Sequence, residues 1–196
     1  MFNTISRLGF SWGALFFLEL AIKLLDDHLD LEEDSGLRFS LADAMGKGTL
    51  AYAMLFYAVS ARFFPDWAFT IFISSYACGM LTGSDPLLPS GLSAWAEMLL
   101  VLTLGVIWSN GKEMLSSLAL VMGVHLLDDV IDYRREGQQV PTKNLAHCWG
   151  KVEVLLLGIL CSLTALLLAP LKTVLSWLAL PAALYMAANP WNSKKR

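Results

Sequence analysis

Two clusters of acidic residues with the same spacing each follow an apolar segment, one in each half of the chain. On a helix that advances about 100° per residue, positions i, i+1, i+4 and i+8 fall on one face. Carboxylates so arranged repel one another, and ionised carboxylates close to lipid are costly, so a positive partner is expected. We predict that both clusters bind metal: the first acid cluster is Asp26, Asp27, Asp30 and Asp34, and the second is Asp128, Asp129, Asp132 and Glu136.

Mg²⁺ is the partner that these side chains favour. Hard oxygen donors without thiols suit Mg²⁺ or Ca²⁺, and Mg²⁺ characteristically joins one or two carboxylates to the phosphates of a substrate. Lys23 and His125 each lie three residues before the first aspartate of a cluster, and each neutralises at most one carboxylate. We therefore predict that the two clusters face each other and hold a diphosphate through Mg²⁺. The basic residues predicted to bind the diphosphate are Lys23, Arg38, Lys47, Arg134, Arg135 and Lys143.

A simpler interpretation is that each acidic run is only a solvated loop at the membrane surface. One cluster alone would favour that interpretation, whereas two clusters in the same register favour a binding site. The aspartates predicted to be catalytic are Asp27, Asp30, Asp129 and Asp132. Glu19 lies within an apolar segment, where a carboxylate is a functional candidate by default. The candidates for cavity lining are Glu19, His125 and Tyr133.

The composition indicates a membrane protein. Of 196 residues, 56% are hydrophobic and 16% are charged, whereas about a quarter of a soluble domain is charged. Apolar stretches recur along nearly the whole chain, which predicts one polytopic all-α transmembrane domain over residues 1–196. The net charge of −3 gives no indication of nucleic-acid binding. The cysteines lack metal or redox spacing and are predicted to be buried and unpaired.

Seven spans are predicted at about 20 apolar residues per crossing. The first apolar segment is interpreted as a span and not as a signal peptide, because it lacks a small-residue cleavage site. The spans are 6–25, 40–62, 65–81, 92–110, 113–127, 144–168 and 171–189. Arg38, Lys47, Arg134, Arg135, Lys143, Lys151 and the terminal Lys-Lys-Arg would lie on one side, and Arg7, Arg62, Lys112 and Lys172 on the other. The side richer in Lys and Arg is expected to be cytoplasmic.

Four crossings separate the acid clusters, so both are expected on the cytoplasmic face of a prokaryotic inner membrane. The same arrangement also surrounds each cluster: a span comes first, then the acids, a basic loop and a further span. This order predicts a parallel internal repeat with halves at 6–81 and 113–189. The span at 92–110 would be the connector that restores the orientation.

The acid clusters resemble the two Asp-rich motifs of the UbiA superfamily of intramembrane prenyltransferases. "DDHLDLEED" is similar to the first motif, N/D-D-x-x-D-x-x-x-D, with Asp26 in the usual Asn place. "DDVIDYRREGQQVPTKNLAHCWGK" is similar to the second, in which acids spaced by four precede a Gly and a Lys-x-Leu-Ala segment. Members have nine helices, whereas seven spans are predicted here. These seven would match helices two to eight of the family, without counterparts of its first and last helices. The Arg-Thr-x-x-Arg-Pro sequence that often follows the first motif is absent here.

The resemblance implies a Mg²⁺-dependent prenyltransferase. An isoprenyl diphosphate would enter from lipid, lose diphosphate between the acid clusters and pass its prenyl group to a lipophilic acceptor. The alternatives are a terpene cyclase or diphosphate-releasing relative, a non-catalytic protein that binds divalent cations, and a transporter. Transport is disfavoured because nearly all the acid lies on one predicted face. CDP-alcohol phosphotransferase chemistry is disfavoured because its D-G-x-x-A-R opening is absent.

Overall fold

The computed structural model describes residues 2–30, 41–81, 90–136 and 144–188, and every regular element in these ranges is helical. The all-α prediction is confirmed for this part of the chain. A 3-10 turn at Gly46–Gly48 precedes the third helix. The helices are α1 (Phe2–Asp30), α2 (Leu41–Met45), α3 (Thr49–Phe63), α4 (Pro65–Leu81), α5 (Ala94–Trp108), α6 (Gly111–Glu136), α7 (Leu145–Trp149), α8 (Lys151–Leu168) and α9 (Pro170–Ala188).

Four helical segments are long and apolar enough to cross a membrane. They are Ser6–Leu29, Gly111–Arg134, Lys151–Leu168 and Pro170–Ala188. These segments support the interpretation of the chain as an integral membrane protein. α3, α4 and α5 have 15, 17 and 15 residues, fewer than the roughly 20 of a typical crossing. Four crossings are therefore supported by length and composition, and the further three stay a prediction.

Both acid clusters begin inside helices and not after them. α1 continues to Asp30 and α6 to Glu136, past the predicted span ends at 25 and 127. The sequence explains the extension, because no Gly or Pro occurs between these predicted ends and Gly36 or Gly137. The first aspartates of each cluster consequently have helical spacing, as predicted.

The predicted continuous spans 40–62 and 144–168 are wrong in one respect, since each is interrupted near its start. The breaks lie at Gly46, with φ +53°, and at Gly150, with φ +103°. L side chains rarely adopt positive φ, so glycine at these positions permits the turn. Both breaks occur in the same local sequence, Leu-Ala-x-x-x-Gly-Lys, at 41–47 and at 145–151. Each predicted span therefore begins with a five-residue helix that turns before the main helix.

The α3–α4 and α8–α9 junctions are also alike. A single residue joins the helices in each case: Phe64 with φ −139° and ψ 72°, and Ala169 with φ −144° and ψ 73°. Proline follows both residues and disfavours a helical conformation before it, while its own φ suits the first position of the next helix. The chain therefore changes helix within one residue at both junctions.

The chain divides into two compact units, Met1–Ala68 with Val174–Arg196 as unit 1 and Phe69–Thr173 as unit 2. In unit 1, α1 packs against α3 and α2. Its buried core contains Leu20, Leu24, Ala42, Ala53, Ala183 and Ala187. Small residues let the helices approach closely, which is the usual way for helices to pack in lipid.

Unit 2 is built around the contact of α6 with α8, with α7 packed against both. Its core includes Leu126, Val130, Ala146 and Val154. Gly158 permits the close approach, because a Cβ there would lie 3.2 Å from Leu127 Cγ. This contact lies one residue before the second acid cluster, so α8 supports α6 where the acids begin.

The three cysteines are free thiols. Cys78 is buried, which agrees with its place in an apolar helix. Cys148 is exposed, so the prediction of burial is wrong for this residue. Cys148 lies in the five-residue α7, where Ala146 is the buried residue.

Candidate functional site

The first acid cluster begins in the last turns of α1. The Asp26 side chain is 61% exposed, whereas that of Asp27 is 14% exposed. Lys23 Nζ lies 3.0 Å from Asp26 Oδ2 and 2.9 Å from Asp27 Oδ1. These contacts follow from helical spacing, since residues three and four apart are neighbours on one face. One ammonium is thus shared by two carboxylates, so the three side chains keep a net negative charge.

The structure describes only part of the remaining first site. Asp30 is the last residue of α1, and its side chain lies outside the described part. Asp34 and Arg38 also lie outside the described residues. Lys47 lies in the 3-10 turn between α2 and α3 and is exposed. Lys23, Asp26 and Asp27 are therefore the predicted site residues that the structure brings into contact here.

Asp129 of the second acid cluster holds the start of α7. Its Oδ2 accepts a hydrogen bond from Leu145 N at 3.1 Å, and its backbone oxygen accepts one from Asn144 Nδ2 at 2.9 Å. The first N–H groups of a helix have no partner within the helix, and a carboxylate supplies one. Asp129 therefore has a structural role in addition to its predicted role as a metal ligand.

Asn144 is a residue that the functional reading of the sequence missed. It is buried, and its Oδ1 accepts hydrogen bonds from Ala146 N at 2.9 Å and His147 N at 3.2 Å. Together with Asp129, it satisfies the first three N–H groups of α7. Asparagine before a helix is a known capping signal, so the sequence contained a sign of this role. The link to Asp129 was not visible, because it joins residues on two helices.

The other residues of the second site differ in exposure. Asp128 is exposed and Asp132 is half-buried. Tyr133 packs against the unit 2 core, and Arg134 is exposed. Arg135 and Glu136 end α6, but their side chains lie outside the described part, as does the whole of Lys143. Exposed carboxylate and guanidinium groups therefore lie near one another in sequence at the end of α6.

Two histidines near the acid clusters have buried nitrogens without hydrogen-bond partners among the described residues. They are His125 Nε2, one helical turn before Asp129, and His28 Nδ1, directly after Asp27. His28 lies in α1 and is half-buried. Glu19 is also half-buried in α1, seven residues before Asp26. These polar groups lie beside the acids on the same helices.

The donor chemistry of both clusters fits a hard divalent cation. Within the described residues, no three His, Cys, Asp or Glu side chains are close enough together to hold a metal ion. Mg²⁺ does not need such a cage, because it usually takes one or two carboxylates and completes its shell with water and phosphate oxygens. The described carboxylates therefore suit a cation that a phosphate-bearing ligand helps to hold.

No protein-family model, curated protein or solved structure matches this chain. The resemblance to the UbiA superfamily depends on the two acid clusters and the residues that flank them. Family membership therefore stays a prediction.

Proposed function

We propose that this protein is a Mg²⁺-dependent intramembrane prenyltransferase of the UbiA type. The observation that carries the proposal is the place of the two acid clusters. Each begins in the last turns of a helix, α1 or α6, that contains a segment long and apolar enough to cross a membrane. A carboxylate cluster at the end of such a helix would lie at the membrane surface, where the polar head of a lipid substrate also lies.

The proposed architecture has seven crossings and a parallel repeat, with both acid clusters on the cytoplasmic face of a prokaryotic inner membrane. Two local features support the repeat. The Leu-Ala-x-x-x-Gly-Lys segment with its positive-φ glycine occurs after each acid cluster, and both junctions before proline have nearly the same backbone angles. In the proposal, α5 is the connector between the halves.

The residues that would hold Mg²⁺ are the eight acids of the two clusters, and the bound ion would stabilise charge that grows on a departing diphosphate. Asp26 and Asp27 keep a net negative charge beside Lys23, which favours a further cation. Asp129 Oδ2 is engaged by Leu145, so its second oxygen is the one we assign to metal. That the clusters face each other is part of the proposal.

The chain's own groups would bind the head and shelter the prenyl chain. Arg38, Lys47, Arg134, Arg135 and Lys143 would contact diphosphate oxygens, for which charged hydrogen bonds are strong. The allylic C–O bond breaks and its electron pair leaves with diphosphate. A nucleophilic atom of the acceptor then forms a bond to the prenyl carbon and loses a proton. The cleavage leaves an allylic cation, and apolar helix faces exclude water from it until the acceptor reacts.

The decisive test measures diphosphate release by purified protein with geranyl, farnesyl and geranylgeranyl diphosphates and Mg²⁺. We expect release with at least one substrate, loss of release with a chelator, and no release by Asp27→Ala. Arg62→Ala is the matched control, because this exposed basic residue belongs to neither site. Metal binding without any release would instead support a non-catalytic cation-binding protein. A cyclic product formed without an acceptor would support the cyclase alternative.

A further inference from the structure

We propose that a buried ion-pair cluster around Lys172 is a lock that keeps one end of unit 2 closed to water. The Lys172 side chain is 1% exposed. Its Nζ lies 2.5 Å from Glu113 Oε1, 2.6 Å from Ser116 Oγ and 2.9 Å from Ser117 Oγ. The lock therefore joins the first turn of α9 to the first turns of α6. This inference does not depend on the proposed prenyl chemistry.

The donors of the lock are fully used. A lysine ammonium has three N–H groups, and each one has an oxygen within hydrogen-bond distance. The Ser116 hydroxyl donates in turn to the Glu113 backbone oxygen at 2.8 Å. Ser117 Oγ lies 2.7 Å from Thr70 Oγ1, which extends the network to α4. Because no donor of Lys172 remains for a bound anion, the cluster acts as a fastening and not as a binding site.

The position of the lock gives it a functional meaning. Glu113 and Asp129 lie on the same helix, and sixteen residues at 1.5 Å each place them about 24 Å apart along α6. The lock and the second acid cluster are thus at opposite ends of α6. Separating the first turn of α9 from α6 would leave a cation and a carboxylate without partners, which is strongly unfavourable unless water replaces them. We infer that water and polar solutes reach unit 2 only from the end with the second acid cluster.

A buried cysteine reporter tests this inference. Leu120 is 1% exposed and lies one turn after Ser116, so Leu120→Cys senses water beside the lock. Leu126→Cys, also 1% exposed, is the control reporter beside the second acid cluster. Each is labelled with a membrane-impermeant, charged methanethiosulfonate reagent. The background carries Cys78→Ala, Cys148→Ser and Cys161→Ala.

With the lock intact, we expect Leu120→Cys to label slowly. Lys172→Met should raise its labelling rate by about tenfold or more, since local opening controls access to a buried thiol. Lys112→Met is the matched control: it removes one exposed lysine beside Glu113 and should leave the rate unchanged. The Leu126→Cys rate should not respond to the lock variants.

Glu113→Gln is the milder variant if Lys172→Met does not fold, because it removes the ion pair but keeps an oxygen acceptor. Its effect should lie between those of the intact lock and Lys172→Met. Two results would overturn the inference: rapid labelling of Leu120→Cys while the lock is intact, or no increase in any lock variant that keeps its helical content. The first result can be obtained without any lock variant.

Discussion

Replacing Asp129 by alanine removes both a predicted Mg²⁺ ligand and the acceptor of the Leu145 N–H. Hydrogen bonds to charged groups contribute about 1.5–3 kcal/mol, so we expect Asp129→Ala to lose about 2 kcal/mol of unfolding free energy. That loss corresponds to roughly a thirtyfold change in the unfolding equilibrium. Asp129→Asn keeps an oxygen for Leu145 but not the charge, and should lose only about 1 kcal/mol.

The assay has two parts, unfolding by denaturing detergent in mixed micelles followed by helical circular dichroism, and diphosphate release. Asp27→Ala is the matched control, because Asp27 holds the same position in the first acid cluster but its contact among the described residues is with the Lys23 side chain. Lys23 retains Asp26, so Asp27→Ala should cost less than about 1 kcal/mol. All three variants should lose diphosphate release.

The order of stabilities therefore separates the two roles of Asp129. Equal stabilities for Asp129→Ala and Asp129→Asn would show that the bond to Leu145 does not stabilise the fold. Full diphosphate release by Asp129→Asn would show that the carboxylate charge is not used, and would refute its assignment as a metal ligand.

Two further variants test the first acid cluster and the break before α8. Lys23→Met leaves two aspartates without their shared cation. Because a ligand that binds the folded state stabilises it, Mg²⁺ should raise the detergent-unfolding midpoint of this variant more than that of the wild type. An equal rise in both proteins would contradict a cation site there. Gly150→Ala places a side chain at positive φ and against the Glu153 carboxylate, and should cost about 1–3 kcal/mol of unfolding free energy. Gly79→Ala is its control, since a Cβ there would meet no atom of another described element within 4 Å, and a comparable loss in both variants would contradict the explanation.

Local spacing indicated which side chains of the first acid cluster share a helix face. The aspartates at 26 and 27 share a helix face with Lys23, and the ammonium contacts both. Such contacts depend on the helix alone, so a reading of the sequence suffices. The interruptions at Gly46 and Gly150 were not predicted, because a single glycine is also tolerated inside a helix and only the observed φ decides.

Contacts between residues far apart in the chain could not be predicted from the sequence. Asp129 and Leu145 are sixteen residues apart, and nothing local distinguishes a carboxylate that caps another helix from one that binds metal. Lys172 was expected among the cations on the outer side, yet the structure buries it against Glu113, fifty-nine residues away. A buried lysine ammonium needs oxygen acceptors, and here other helices supply them.

The sequence by itself determined that the chain is helical and apolar, and that its acids lie in two clusters of one register. These properties follow from composition and from the geometry of a single helix. Only the tertiary structure decided which polar groups meet across helices, because each such meeting depends on how α6 packs against α7, α8 and the start of α9. Packing thus gave Asp129 its second role and made Lys172 a buried lock.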